Sequence, residues 1–302
     1  MMQDIADRIH NTLILVLQNT YISLHTFIKR IIPNYSFSKF IFIRFIITKI
    51  MSQKATKITT TMDITLYLDK KDSLGLTFNK VYEPLETLFI KENIKSSMTI
   101  IDIGANIGYY TTIFSKLSEN GTIFAFEPDT ENFSLLKRNC HLNKFKNTKI
   151  FNFACGNTNQ TKSLFISNDN KGDHRTYMVE GEERESKLIK MVRLDDFLQN
   201  IPKLDFVKLD IQGFEFQAIK GMSELIRRHK PLILMEFWPL GLISNNEDPV
   251  EFLKYLDNLN YDIQIIYPDH NNYYLKKIDI NDHVTISETK KNDFNILLTS
   301  KT

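Results

Sequence analysis

Thr99-Ile100-Ile101-Asp102-Ile103-Gly104-Ala105-Asn106-Ile107-Gly108 decides the fold. Five mostly β-branched residues run into a glycine turn, and residues 109–117 continue as a helix. A short, continuous apolar run marks a strand buried on both faces, as in a parallel sheet. Downstream the same alternation recurs. Thr122-Ile123-Phe124-Ala125-Phe126 leads to a helical stretch at 132–141, and residues 149–153 form a third run. Phe206-Val207-Lys208-Leu209 and Leu232-Ile233-Leu234-Met235 are later strands, separated by one helical stretch at 215–228; runs at 261–267 and 294–299 follow. Upstream, 64–68 reads as a short strand and 81–94 as a helix. Strands alternating with helices predict an α/β fold, a mostly parallel sheet with helices on both faces, whose ligands bind at the carboxyl ends of the strands.

The turn carries the first chemistry. Gly104 lets the backbone turn tightly and approach a ligand, and Gly108 opens a helix whose free N–H groups can meet a polar or anionic group. Glu127 ends the second strand, just before Pro128, where a carboxylate can accept from both hydroxyls of a ribose. A dinucleotide prefers G-x-G-x-x-G, whose second glycine admits the pyrophosphate. Asn106 occupies that place here. A phosphate-free adenosyl cofactor fits better, S-adenosylmethionine being the common one.

The length of 302 residues admits one large domain or two small ones, and a hydrophobic fraction of 42% with 25% charged excludes wholesale disorder. Two cysteines, Cys140 and Cys155, cannot build a disulfide framework, so the expected compartment is cytoplasmic. No C-x-x-C or H-E-x-x-H pattern occurs, and no metal is expected. A net charge of +2 gives no reason to expect nucleic acid as a partner. That figure hides an asymmetry, because residues 1–60 carry eight Lys/Arg against Asp4 and Asp7. This basic, apolar, helical extension is set apart from a body at 61–302. It reads either as a segment packing on protein or as a peripheral contact with the inner face of an anionic membrane. Its apolar stretches are too short and too polar to span a bilayer.

Asp102-Ile103-Gly104-Ala105-Asn106-Ile107-Gly108-Tyr109-Tyr110-Thr111, Phe126-Glu127-Pro128 and Lys208-Leu209-Asp210-Ile211-Gln212-Gly213-Phe214-Glu215 together resemble the FkbM-type methyltransferases. Tyr82-Glu83-Pro84, Leu194-Asp195-Asp196-Phe197 and Lys230-Pro231 extend the resemblance over about residues 62–302. It implies a class I methyltransferase (Rossmann-like) fold of seven strands, the last antiparallel. It also implies methyl transfer from S-adenosylmethionine, typically to a hydroxyl of a sugar or natural product. Carried onto this chain, the cofactor would meet Gly104, Ala105, Asn106, Gly108, Glu127 and Pro128. Asp102 and Glu83 would stand at its methionine end, with a turn-capping carboxylate and a solvated helix-start acid as their structural alternatives, and Asn152 and Ala154 would approach the adenine. Asn132 reads as a helix-surface residue.

For the transfer itself, Asp210 at the end of the fourth strand is the first candidate to position acceptor or cofactor, with helix capping as its structural alternative. Glu215 is either a site residue or a favourable helix-start charge. Gly172-Asp173-His174-Arg175 lies in a long polar loop, with a hairpin expected around 163–167; His174 is a candidate base or acceptor ligand, with a solvated loop histidine as the alternative, and Arg175 is an acceptor ligand. Glu236 and Trp238 follow the fifth strand and would contact the acceptor, Trp238 by stacking on a sugar face. Gln212 is an amide, so it makes no carboxylate pair with Asp210. The reading that results is O-methylation of a saccharide, glycan or glycolipid-type acceptor. N-methylation of an amino sugar or peptide, and a non-catalytic membrane-associated protein with a vestigial pocket, are the alternatives.

Overall fold

In the computed structural model the chain divides into Met1–Ala55 and Thr56–Thr302. The structure describes residues 56–167, 170–179, 181–270, 272–279 and 294–301. Nearly all of the basic extension, with its packing and membrane readings, lies outside the described residues. No helix among those described is long and apolar enough to cross a membrane.

The main sheet has eight strands. β3 (Thr99–Ile103), β4 (Thr122–Phe126), β5 (Thr148–Phe151), β9 (Phe206–Leu209) and β10 (Leu232–Phe237) form its parallel part, and β11 (Tyr261–Asp269), β12 (Asn272–Lys277) and β13 (Phe294–Ser300) complete it. The spatial order is β12-β11-β13-β10-β9-β3-β4-β5. β13 enters antiparallel between β10 and β11, as expected of the last strand. An eighth strand, β12, extends the expected seven by folding back on β11 as an antiparallel partner.

Side chains alternate across the strands with period two. Ile101 and Ile103 of β3, Val207 and Leu209 of β9, and Ile233 and Met235 of β10 join one core cluster. There they meet α6 (Glu215–Lys220), α7 (Ser223–His229) and α9 (Pro249–Asn258) through Ile219, Ile226 and Phe252. Ile100, Phe206 and Leu234 face the other way, against Phe89 and Ile90 of α2 (Pro84–Asn93) and Ile113 and Phe114 of α3 (Tyr109–Leu117). Full burial of each such side chain contributes about 1.5–3 kcal/mol. The single helix expected over 215–228 is divided, because Gly221 sits between α6 and α7 with its Cα against the Gly156 carbonyl; a Cβ there would lie 1.9 Å from that oxygen.

Two smaller sheets flank the main one. β1 (Lys57–Thr59) pairs with β2 (Thr65–Tyr67). Asn139 and Asn143 of α4 (Thr130–Leu142) and its C-terminal cap complete the edge of β2 by exchanging side-chain amide bonds with the backbone of Tyr67 and Thr65. The long polar loop contains β6 (Ala154–Cys155), β7 (Gln160–Phe165) and β8 (Ser186–Val192). β7 pairs with the distant β8, so the local hairpin expected around 163–167 is not formed. Among the described residues the excursion between them returns to β7 through the bridge Phe165 to Arg175.

Candidate active site

Period two also assembles the charged groups. Asp102 is the register partner of Lys208, and Lys208 that of Leu234. Asp102, Lys208 and Glu236 therefore point to the same sheet face as Ile100, Phe206 and Leu234, with Asp210 just beyond the end of β9. Position 127 follows β4 with the same parity. A cleft opens here at the carboxyl ends of the strands, lined by 102–106, 126–128, 153–155 and 210–212, by Tyr82, Tyr109 and Tyr110, and by Lys171, Gly172, His174 and Thr176 of the long loop, which forms its roof.

Gly104 has φ 84° and the turn needs it for a packing reason: a Cβ would lie 1.9 Å from the Asp210 carbonyl oxygen. The glycine lets the β3 and β9 loops close on each other. Gly108, expected on the cleft wall, lies behind it; its Cα faces Leu136, 2.7 Å from where a Cβ would be, so it serves the packing of α3 on α4. Asn106 adopts φ 51°, and its backbone N–H donates to Glu127 Oε2 at 2.7 Å. The other oxygen, Oε1, accepts from the Asp129 N–H at 2.8 Å. Burial pushes Glu127 up to about 8. Pro128 and Ala154, expected to meet the cofactor, line the cleft. Asn152 does not: its amide donates to the Glu127 and Pro128 carbonyls at 2.8 and 2.9 Å and braces that turn from behind. Asn132, expected on the surface, is buried in the cleft, because Lys171 from the long loop covers it and its carbonyl accepts from Asn132 Nδ2 at 3.0 Å.

Lys208, which the sequence places in a strand and in a family motif but in no site role, is 1% exposed and forms the centre of the charged cluster. Burial alone would push its ammonium down, but Asp210, Glu83, Asp102 and Glu236 together raise it above its ordinary value. Its Nζ lies 3.4 Å from Asp210 Oδ2 and 5.1 Å from the Tyr110 ring centre. Asp102 is buried, accepts from the Thr111 hydroxyl and is raised by desolvation to about 6. Glu83 occupies the N-cap position of α2 in a left-handed conformation and is half-buried; it accepts from the Tyr110 hydroxyl at 2.7 Å, and desolvation raises it.

Gln212, with φ 55°, donates its amide to Asp210 Oδ1 and to Glu236 Oε2, both at 3.0 Å. Burial, then the charges of Asp210 and Glu215, push Glu236 up to about 10. Glu215 is turned away from the cleft lining. Its Oε1 accepts from the Ile211 and Gly213 N–H groups at 2.9 and 3.3 Å, and burial raises it to about 7; it shapes the turn that presents Asp210. His174 lines the cleft, but its Nδ1 accepts from the Ser167 N–H at 3.1 Å. The neutral ring therefore carries its proton on Nε2 and offers a donor, which disfavours the role of base. Arg175 is already engaged: it pairs with Asp173 at 2.7 Å and Glu182 at 3.5 Å and lies 4.8 Å above the Trp238 ring. The Trp238 ring, also packed on Gly241, is thus occupied by Arg175 instead of being free to stack on a sugar. Among the described residues no group of three or more His, Cys, Asp or Glu is arranged to hold a metal ion.

The pattern of the Methyltransferase FkbM domain matches residues 102–263. Among characterised proteins, "Methyltransferase 1" of Beauveria bassiana is 22% identical over 188 residues, 56% of this chain and 76% of that one. "Hexuronic acid methyltransferase AglP" of Haloferax volcanii is 27% identical over 143 residues, 45% of this chain and 54% of that protein. The crystal structure of Methyltransferase FkbM from Methylobacillus flagellatus KT aligns with a TM-score of 0.40 and 19% identity, over 61% of this chain and 44% of that one. The chain thus spans about half the length of AglP and less than half of the M. flagellatus chain. The family pattern covers more than half of the chain and runs from Asp102 in β3 through the cleft-forming strands to Ile263 in β11, so the chain belongs to the FkbM methyltransferase family.

Proposed function

We propose that this protein transfers a methyl group from S-adenosylmethionine to a hydroxyl oxygen of a saccharide, glycan or glycolipid-type acceptor. The observation that carries the reading is Asp210. Its carboxylate reaches the cleft while Gln212 and Lys208 fix both of its oxygens. The cleft also fits the cofactor chemically: Glu127 lines it at the end of β4 for a ribose, and the carboxylates Asp102 and Asp210 line it where a cation would be held.

Bound there, S-adenosylmethionine would supply a methyl carbon activated on a sulfonium. The protein's own contribution is alignment and proton removal. Holding acceptor and donor in line supplies about 7–11 kcal/mol of the barrier reduction in favourable cases. Asp210 accepts the hydroxyl proton as the acceptor oxygen attacks, a general-base contribution of about 10²–10⁴-fold. Gln212 and Lys208 keep that carboxylate oriented, and Glu215 holds the turn beneath it. The acceptor class draws support from the hexuronic acid methyltransferase relative.

The test is transfer of labelled methyl from S-adenosylmethionine to a panel of uronic-acid and neutral glycans, followed by linkage analysis. Label on an ether oxygen, lost in Asp210→Asn, is expected. Label on nitrogen, or undiminished transfer by Asp210→Asn, would contradict the reading.

A further inference from the structure

Four side-chain atoms of the cleft are buried without a hydrogen-bond partner among the described residues: Asn106 Oδ1, Asn132 Oδ1, His174 Nε2 and Thr176 Oγ1. Buried polar groups are ordinarily paired, so four orphans in one cleft mark a place where a ligand completes the bonding. Two of them belong to the Glu127 neighbourhood. The Asn106 backbone holds Glu127 Oε2, and the Asn132 N–H donates at 2.9 Å to Asp129, whose own N–H holds Glu127 Oε1. The other two belong to the segment that roofs the cleft.

That roof is tied down on both sides. The Lys171 carbonyl accepts from Asn132 and its N–H donates to the Ser73 hydroxyl at 2.9 Å, while the Tyr177 hydroxyl donates to the Gln212 carbonyl at 2.8 Å. It therefore spans from the start of α4 to the turn after β9. Pro128, Phe153 and Leu164 give the cleft apolar walls. An apolar slot edged by one N–H donor, two amide oxygens and a hydroxyl suits a flat ring that carries both acceptors and donors.

We propose that the 171–176 roof recognises the nucleoside part of the cofactor: His174 Nε2–H donates to an adenosine acceptor, while the Asn106 and Asn132 oxygens and the Thr176 hydroxyl bond its remaining polar edge. This rests on the reading of the cleft as the cofactor site. It makes His174 a binding residue, with its Nδ1 lone pair committed to Ser167.

The experiment is calorimetric titration of the full chain with 5′-methylthioadenosine, which lacks the amino-acid end, and with S-adenosylhomocysteine. Wild type, His174→Ala, His174→Gln and Thr176→Val are compared, with thermal melting of each. His174→Ala weakens both probes by the same factor, about tenfold or more; His174→Gln recovers most of it, and Thr176→Val shows a smaller common loss. If His174→Ala and Thr176→Val leave both affinities unchanged, or weaken S-adenosylhomocysteine alone, the roof does not read the nucleoside and the inference falls while the cofactor reading stands. If folded wild type binds neither probe, both fall.

Discussion

Lys208→Met isolates the buried cation, because methionine keeps the length of the side chain and removes its charge. The ammonium is almost wholly buried, 3.4 Å from Asp210 Oδ2, with Asp102, Glu83 and Glu236 acting on it as well. At an effective dielectric of about 20, one pair at that distance is worth about 5 kcal/mol. The hydration that the lysine no longer forfeits offsets part of this, and breaking a buried pair from one side costs about 3–5 kcal/mol. The loss depends on pH, because the carboxylates left behind can protonate. Urea denaturation at about pH 8 should show a loss of about 3–5 kcal/mol, falling to less than half at about pH 5.5. A loss below about 1 kcal/mol at the higher pH, or an equal loss at both, would refute the claim that Lys208 neutralises this cluster.

Gly104→Ala forces a Cβ to 1.9 Å from the Asp210 carbonyl at φ 84°, whereas Gly181 has the same φ with nothing within 4 Å. Denaturant titration should show about 3 kcal/mol or more lost at Gly104 and only about 1 kcal/mol at Gly181, and equal losses would contradict the close approach. Asp102, Glu215, Glu127 and Glu236 are raised to about 6, 7, 8 and 10, so the fold holds protons that the unfolded chain has already released. Their stabilisation is complete below the unfolded values and is lost as pH rises, so the melting temperature of the free protein should fall from about pH 5 to about pH 9. A flat or rising profile would count against those shifts. Trp238 is the one tryptophan, and Arg175→Ala should change its fluorescence emission by removing the guanidinium above the ring. An identical spectrum would mean the stacking is absent in solution.

The charged face was legible because strand periodicity is rigid. Once 99–103, 122–126, 206–209 and 232–235 are strands, Asp102 and Lys208 fall on one side by counting in twos, and Glu127 and Glu236 continue the same count just past the strand ends. The central place of Lys208 was not, since a lysine in a short apolar run shows its role only when a helix start brings Glu83 and another strand brings Glu236. Asn132 looked like a surface residue because its cover, Lys171, comes from a loop whose path follows no periodic pattern. The same holds for His174: its fitness as a base turns on the Ser167 N–H, seven residues away across an irregular excursion. Gly108 and Asn152 sit at sites where ligand contact and packing demand similar residues, and only the positions of Leu136 and the Glu127 carbonyl separate the two.

Calorimetric titration of S-adenosylmethionine into wild type and Glu127→Ala, with NAD as the control, tests the account most directly. Wild type should show saturable one-site binding of S-adenosylmethionine, weakened by about 1.5–3 kcal/mol in Glu127→Ala, and no binding of NAD. Binding of NAD in place of S-adenosylmethionine, or no loss in Glu127→Ala, would contradict it.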